Sequence, residues 1–164
     1  VEARQHFRRV LNQARDLSNR RYEILSLNEL GNLLVSEDKI DKALELKKSA
    51  LAMAREIGDR YLESVCLHDI GNAYNTAGRY SEALEIFREV LGFETTRGNQ
   101  RAMAMARINI GFVLFQLNRP EEALTIPRQA LATAREYHLV EVEVPILKEL
   151  IRQLEKTGRS ALRV

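Results

Sequence analysis

The stretch Ile70-Gly71-Asn72-Ala73-Tyr74, followed by Ala77-Gly78-Arg79-Tyr80-Ser81-Glu82-Ala83, carries the reading of the whole chain. Its glycine recurs: Gly31, Gly71 and Gly111 stand 40 residues apart, each behind an aliphatic residue, Leu30, Ile70 or Ile110. Twelve residues after each glycine comes an alanine, Ala43, Ala83 or Ala123, and Ala3 extends that row by one more period. Leu11, Leu51, Leu91 and Leu131 form a third row, preceded by Val10, Ala50, Val90 and Ala130. A fourth copy keeps Leu150 in step but puts Ile151 where the glycine belongs. A fixed period of this length means stacked copies of one supersecondary unit.

Within a period, Ile24, Leu27, Leu30 and Leu34 are spaced as on one face of a helix. This predicts a first helix from about Arg21 to Val35, with copies opening near Tyr61 and Arg101. Asn19, Asp59 and Asn99 stand just before, where a side-chain oxygen can accept from the first unpaired backbone N–H groups. Glu37-Asp38-Lys39, Ala77-Gly78-Arg79 and Leu117-Asn118-Arg119 read as turns into a second helix that opens with Asp41, Ser81 or Glu121. The glycine and alanine rows then have a packing reason, because helices that cross closely at those points leave no room for a larger side chain. Pro127 falls inside the third second helix, removes the N–H that would bond the Ala123 carbonyl, and predicts a kink.

The expected organisation is one all-α domain over 1–164. It divides into a half repeat at 1–18, full antiparallel helix pairs at 19–58, 59–98 and 99–138, and a half repeat or C-terminal cap at 139–164. Ala3, Phe7, Val10 and Leu11 lie in register with a second helix that lacks its first, and the last helix, through Leu147, Leu150 and Leu154, lacks a full partner. A solenoid normally ends in polar capping elements. The pattern therefore reads as a fragment of a longer chain, whose unpaired terminal helices are expected to self-associate into a homo-oligomer.

Composition narrows the function. The 164 residues carry a net charge of +2, with 45% hydrophobic and 29% charged residues, so no strong field of either sign points to nucleic acid or a membrane surface. Apolar runs fall well short of the roughly 18 residues that a bilayer span needs, and a cytoplasmic protein is expected. Cys66, as a single cysteine, makes no internal disulfide, and it shares its repeat position with Ser26 and Ala106, which predicts a small packed side chain. His6, His68 and His138 show no metal-ligand spacing, and neither a phosphate loop nor a nucleophile elbow is present. No enzymatic activity and no cofactor or metal are expected. Arg8, Lys48, Arg88 and Arg128, with Arg15, Arg55 and Arg135 seven residues on, make basic rows that read as a solvated face, since Glu45 and Glu85 stand at pairing distance.

The repeat resembles the tetratricopeptide repeat, and the stretch from Ile70 to Ala83 is close to its consensus. The family's commonest repeat is about 34 residues. The period of 40 resembles a longer-helix subtype, that of the Leu-Gly-Asn (partner of Inscuteable) polarity adaptors and of bacterial regulators. Leu27 and Leu67 depart from the family's frequent Trp, as does Arg107. The resemblance implies a right-handed α-solenoid whose concave surface is lined by first helices, with the residue after the glycine holding an extended peptide backbone. Those residues are Asn32 and Asn72, and Phe112 breaks the row.

Helical spacing independently groups Asn28 and Asn32, then His68, Asn72 and Asn75, then Met105, Ile108, Phe112 and Phe115. An amide offers both donor and acceptor to a peptide backbone. The face turns cationic at Lys148 and Arg152, which stand like half of the carboxylate clamp in chaperone-binding relatives, although His68 and Phe112 replace its other members. The expected function is a peptide- or protein-binding scaffold, with acidic and apolar residues in the partner. Two other readings fit the same pattern: a regulatory sensor segment of a bacterial transcription or signalling protein, and a self-association domain.

Overall fold

The computed structural model describes residues 2–156. Among these, eight helices follow one another without a strand: α1 (Glu2–Asp16), α2 (Arg20–Ser36), α3 (Ile40–Glu56), α4 (Arg60–Thr76), α5 (Tyr80–Arg97), α6 (Gln100–Gln116), α7 (Pro120–Glu136) and α8 (Val140–Lys156). Helices therefore begin every 20 residues from Arg20 onward, half the sequence period. The architecture is an all-α, TPR-like solenoid fold of antiparallel helix pairs, as the sequence predicts.

Local backbone chemistry explains this step. One residue in each connector takes the left-handed conformation: Ser18, Asp38, Gly58, Gly78, Gly98, Asn118 and His138, with φ between 51° and 71°. The next N–H then reaches back and closes the preceding helix, as from Asp59 to the Ala54 carbonyl at 3.0 Å and from Asn99 to that of Glu94 at 3.1 Å. Asn19, Asp59 and Asn99 also open the following helix, their side chains accepting from the N–H groups of Tyr22, Leu62 and Ala102 at 3.3, 3.1 and 3.2 Å. One residue thus ends one helix and starts another.

The helices gather into two compact units, α1–α4 up to Arg79 and α5–α8 from Tyr80. In the first, α2 packs on α1 and α3, α3 packs on α4, and α2 also touches α4. Ile24, Leu62, Leu67 and Ile70 fill its interior. In the second, α6 packs on α5, α7 and α8 around a core that includes Ile108, Leu124, Ile146 and Leu150. Ala43, Ala83 and Ala123 are fully buried. Ala3 is exposed, since no first helix lies opposite it among the described residues.

The glycine row behaves as a crossing point in both units. A Cβ on Gly31 would lie 2.8 Å from the Lys47 Cγ and 3.3 Å from the Ala43 carbonyl oxygen. One on Gly111 would overlap the Pro127 Cγ, and would sit 2.8 Å from its Cδ and 3.1 Å from the Ala123 carbonyl oxygen. Pro127 is buried in a helix that runs continuously from Pro120 to Glu136, its ring seated in the space that Gly111 leaves. The helix is not interrupted at Pro127.

Part of the basic surface has a structural role. Arg15, Arg55 and Arg135 each donate to a glutamate at the start of the next helix, Glu23, Glu63 and Glu143, all at 2.9 Å. Arg20 and Arg60 complete the first two sites at 3.1 and 3.0 Å. Glu23 is nearly enclosed, yet the Arg15 hydrogen bond outweighs desolvation and holds its carboxyl below the ordinary carboxylate range.

Gly111→Ala is expected to lower the unfolding free energy by about 1–3 kcal/mol. Gly31→Ala should cost less, because a lysine methylene can retreat and a proline ring cannot. Conversely, His138→Gly should stabilise by about 1 kcal/mol by removing a left-handed side-chain residue. Denaturant unfolding of the three variants checks all of this.

Candidate functional site

In the repeat register, Phe7, Lys47, Phe87 and Pro127 share one position on the second helices. Three of the four are apolar, and the fourth is a lysine with no exposed surface. Lys47 enters beside Gly31 and carries its ammonium through to the first helices. There Nζ donates to the Asn32 Oδ1 at 2.6 Å, to the Asn28 Oδ1 at 3.2 Å and to the Asn28 backbone oxygen at 3.4 Å. A carboxylate oxygen of Asp69, on α4, lies 3.8 Å away, and the Asn28 amide donates to that same oxygen. The network joins α2, α3 and α4.

Its electrostatics follow from enclosure. Burial pushes the Lys47 ammonium down from its ordinary pKa, while the Asp69 charge pulls it back. Burial also acts to raise Asp69, but hydrogen bonds with His68 and Asn28, together with the Lys47 charge, outweigh it and leave the carboxyl below its ordinary value. Neighbouring Cys66 is buried, and desolvation pushes its thiol up to about 12. A thiol so protonated is a packed side chain rather than a nucleophile, and Ser26 and Ala106, in the same row, are buried as well.

These contacts reassign several residues. Asn28 is 3% exposed and Ile108, in the core of the second unit, 9%. Both side chains are therefore packed against neighbouring elements, Asn28 on Lys47 and Asp69 and Ile108 in the core, which corrects the expectation that they line an open face. Asn32 is half-buried, its oxygen taken by Lys47 and its Nδ2 3.4 Å from Glu29. His68 and Asn72 are half-buried and meet through the His68 Nδ1 and the Asn72 Nδ2 at 3.2 Å. Asn75 is half-buried, with its Oδ1 enclosed and unpartnered among the described residues.

In the second unit, Met105 is half-buried on the core, and Phe112 and Phe115 are half-buried. The Arg152 guanidinium lies over the Phe112 ring at 4.7 Å and grips Glu149 through two bonds of 2.8 and 2.9 Å. The Glu149 bond is the main cause that raises the Arg152 pKa further. Lys148 is exposed beside it. Lys47 and Asp69 are the members that sequence reading missed, and the signal for Lys47 was present: a cation in an otherwise apolar row.

Comparison with known proteins agrees with this fold. Tetratricopeptide repeat models match residues 22–94 and 103–138, together well over half of the chain. The chain belongs to the tetratricopeptide repeat (TPR) family. Among solved structures, it is similar to the kinesin light chain TPR-like repeats of Podosopora anserina (18% identity, TM-score 0.76, 97% of this chain and 79% of that one). It is also similar to BtubC from P. vanneervenii (20% identity, TM-score 0.82, 95% and 66%). A third is a Rap protein solved with Competence and Sporulation Factor (15% identity, TM-score 0.80, 95% and 44%), of which this TPR chain spans less than half. No curated protein matches the sequence.

The TPR fold is in general a non-catalytic scaffold for protein interaction. No helix among the described residues is long and apolar enough to cross a membrane, and none of their His, Cys, Asp and Glu side chains form a group that could hold a metal ion.

Lys47→Met keeps the unbranched stem beside Gly31 but leaves the Asn28 and Asn32 oxygens and Asp69 without their cation. A loss of about 3–5 kcal/mol in unfolding free energy is expected. Adding Asn28→Ile together with Asp69→Asn removes the stranded carboxylate and brings the site towards the apolar character of Ile108 and Pro127, and should recover part of that loss. Denaturant titration of the single and triple variants reads the difference.

Proposed function

We propose that this TPR segment binds extended peptide segments of partner proteins on its first helices: the first unit offers side-chain amides to a peptide backbone, and the second unit offers a surface for an apolar and an acidic side chain. The observation that carries the reading is the fixed orientation of Asn32. Lys47 occupies the amide oxygen at 2.6 Å and Glu29 accepts from one amide N–H at 3.4 Å, so the second N–H is the one left for a ligand carbonyl. Asn72, tied to His68 through its nitrogen, offers its oxygen to a backbone N–H. In the second unit, the Phe112 ring with the Arg152 guanidinium above it suits an apolar side chain, and exposed Lys148 suits a carboxylate.

A sensor role in a signalling protein is the second reading. It uses the same face, with occupancy shifting the packing of an attached output domain. The Rap protein solved with Competence and Sporulation Factor, and a STAND protein of Pyrococcus horikoshii described as having a TPR sensor, share the fold and favour this reading.

The test is a library of acidic-apolar peptides measured by titration calorimetry against three variants. Asn72→Ala should cost about 0.5–1.5 kcal/mol whatever the peptide sequence. Phe112→Ala should cost more, and only for peptides with an apolar anchor. Lys148→Ala should weaken binding chiefly at low salt, because an exposed charge is screened within about 10 Å at 0.1 M ionic strength. Binding indifferent to all three overturns the proposal.

A further inference from the structure

The first unit has a second concavity, formed by the second helices. The α1 and α3 helices stand on either side of α2 and leave a cleft of about 500 Å³ between them, floored by leucines that include the half-buried Leu34 and Leu46. Arg4, Arg8 and Lys42 are among the cations on its walls, and Glu45 is the one acidic residue in the lining. Glu37 at the mouth neutralises part of this charge, since it binds both Arg4 and Lys39. Arg8 and Lys42 are exposed, and neither has an ion-pair partner among the described residues.

The repeat framework does not demand this charge. At the positions 80 residues on, Arg88 and Arg119 keep the charges of Arg8 and Lys39, but Leu84 replaces Arg4 and Glu122 replaces Lys42. Leu84 is buried, and Glu122 takes two bonds of 2.7 Å from Arg119, so the equivalent surface of the second unit carries less unpaired positive charge. The exposed pair of Arg8 with Lys42 is not repeated there.

We propose that the cleft between α1 and α3 is a docking site for an acidic segment of a partner protein, with one or two aliphatic or aromatic side chains set on the Leu34–Leu46 floor and carboxylates against Arg8 and Lys42. A volume of about 500 Å³ accommodates such side chains but not a folded domain. The half-exposed leucines call for an apolar anchor that a nucleic acid backbone lacks, and a net charge of +2 supplies no wider field to attract one. This site is separate from the first-helix face and does not rest on the reading given for it.

The test uses the full chain and short synthetic peptides in which one Leu or Phe is flanked by Glu and Asp, with matched peptides carrying Lys in place of the acids. Fluorescence anisotropy should show the acidic set binding and the Lys set not. The double variant R8A/K42A should weaken binding about tenfold at low salt, and R8E/K42E should reverse the preference between the sets. Both positions are exposed and unpaired, so folding is expected to be unchanged, and circular dichroism verifies this. All of these measurements are made in an Asn72→Ala/Phe112→Ala background, which removes the contribution of the first-helix face, so the binding that remains belongs to the cleft. The proposal is overturned if no acidic peptide binds that background at millimolar concentration, or if binding to it survives R8E/K42E. It is equally overturned if a medium-chain fatty acid binds in an Arg8- and Lys42-dependent way while the peptides do not.

Discussion

The close crossing of a first helix over a second, at Gly31 with Ala43 and at Gly111 with Ala123, is the constraint on which both units depend. At that distance a single Cβ meets its neighbour, so the space beside each glycine is filled by whatever side chain the second helix sends there. In the first unit this is Lys47, and in the second it is Pro127. The facing residues on the first helix follow suit, Asn28 and Asn32 with the lysine, Ile108 and Phe112 with the proline. A polar guest is matched by amides and an apolar guest by apolar side chains, because an unpaired polar group in so tight a space is costly.

That matching also sets what the first helices offer to a partner. Lys47 donates to three oxygens of α2, and so decides which end of the Asn32 amide faces away from it. A residue that belongs to the opposite helix thereby shapes the face proposed for binding. A buried cation of this kind contributes little net stability compared with a well-packed apolar residue, and its retention fits a role in specifying orientation. The Arg–Glu contacts that recur from Arg15 to Glu23, Arg55 to Glu63 and Arg135 to Glu143 are different. They staple consecutive helices at the same point of the repeat, skipping the copy where Thr95 and Met103 replace the pair, and their arginines remain half open to water.

Much was legible in the chain before any coordinates. The helix pairs, their boundaries within a residue or two, the caps at Asn19, Asp59 and Asn99, and the crossing role of the small-residue rows all follow from local chemistry repeated at a fixed period. Periodicity placed Asn32, Asn72, Phe112 and Lys148 among residues that are at least partly open to solvent. It misplaced Asn28 and Ile108, because a helical wheel gives the direction of a side chain but not how far the neighbouring helix extends over it.

What the sequence by itself determined is therefore the repeat, its turns and its family, since each depends on contacts within a helix or across one short connector. The tertiary structure alone decided the polar network. Lys47, Asn28 and Asp69 are 19 and 41 residues apart along the chain, on three helices, and only packing brings an ammonium, an amide and a carboxylate together away from water. The cleft between α1 and α3 has the same origin. Its cations are unremarkable surface residues in the sequence, and become a rim only because α1 and α3 both pack on α2.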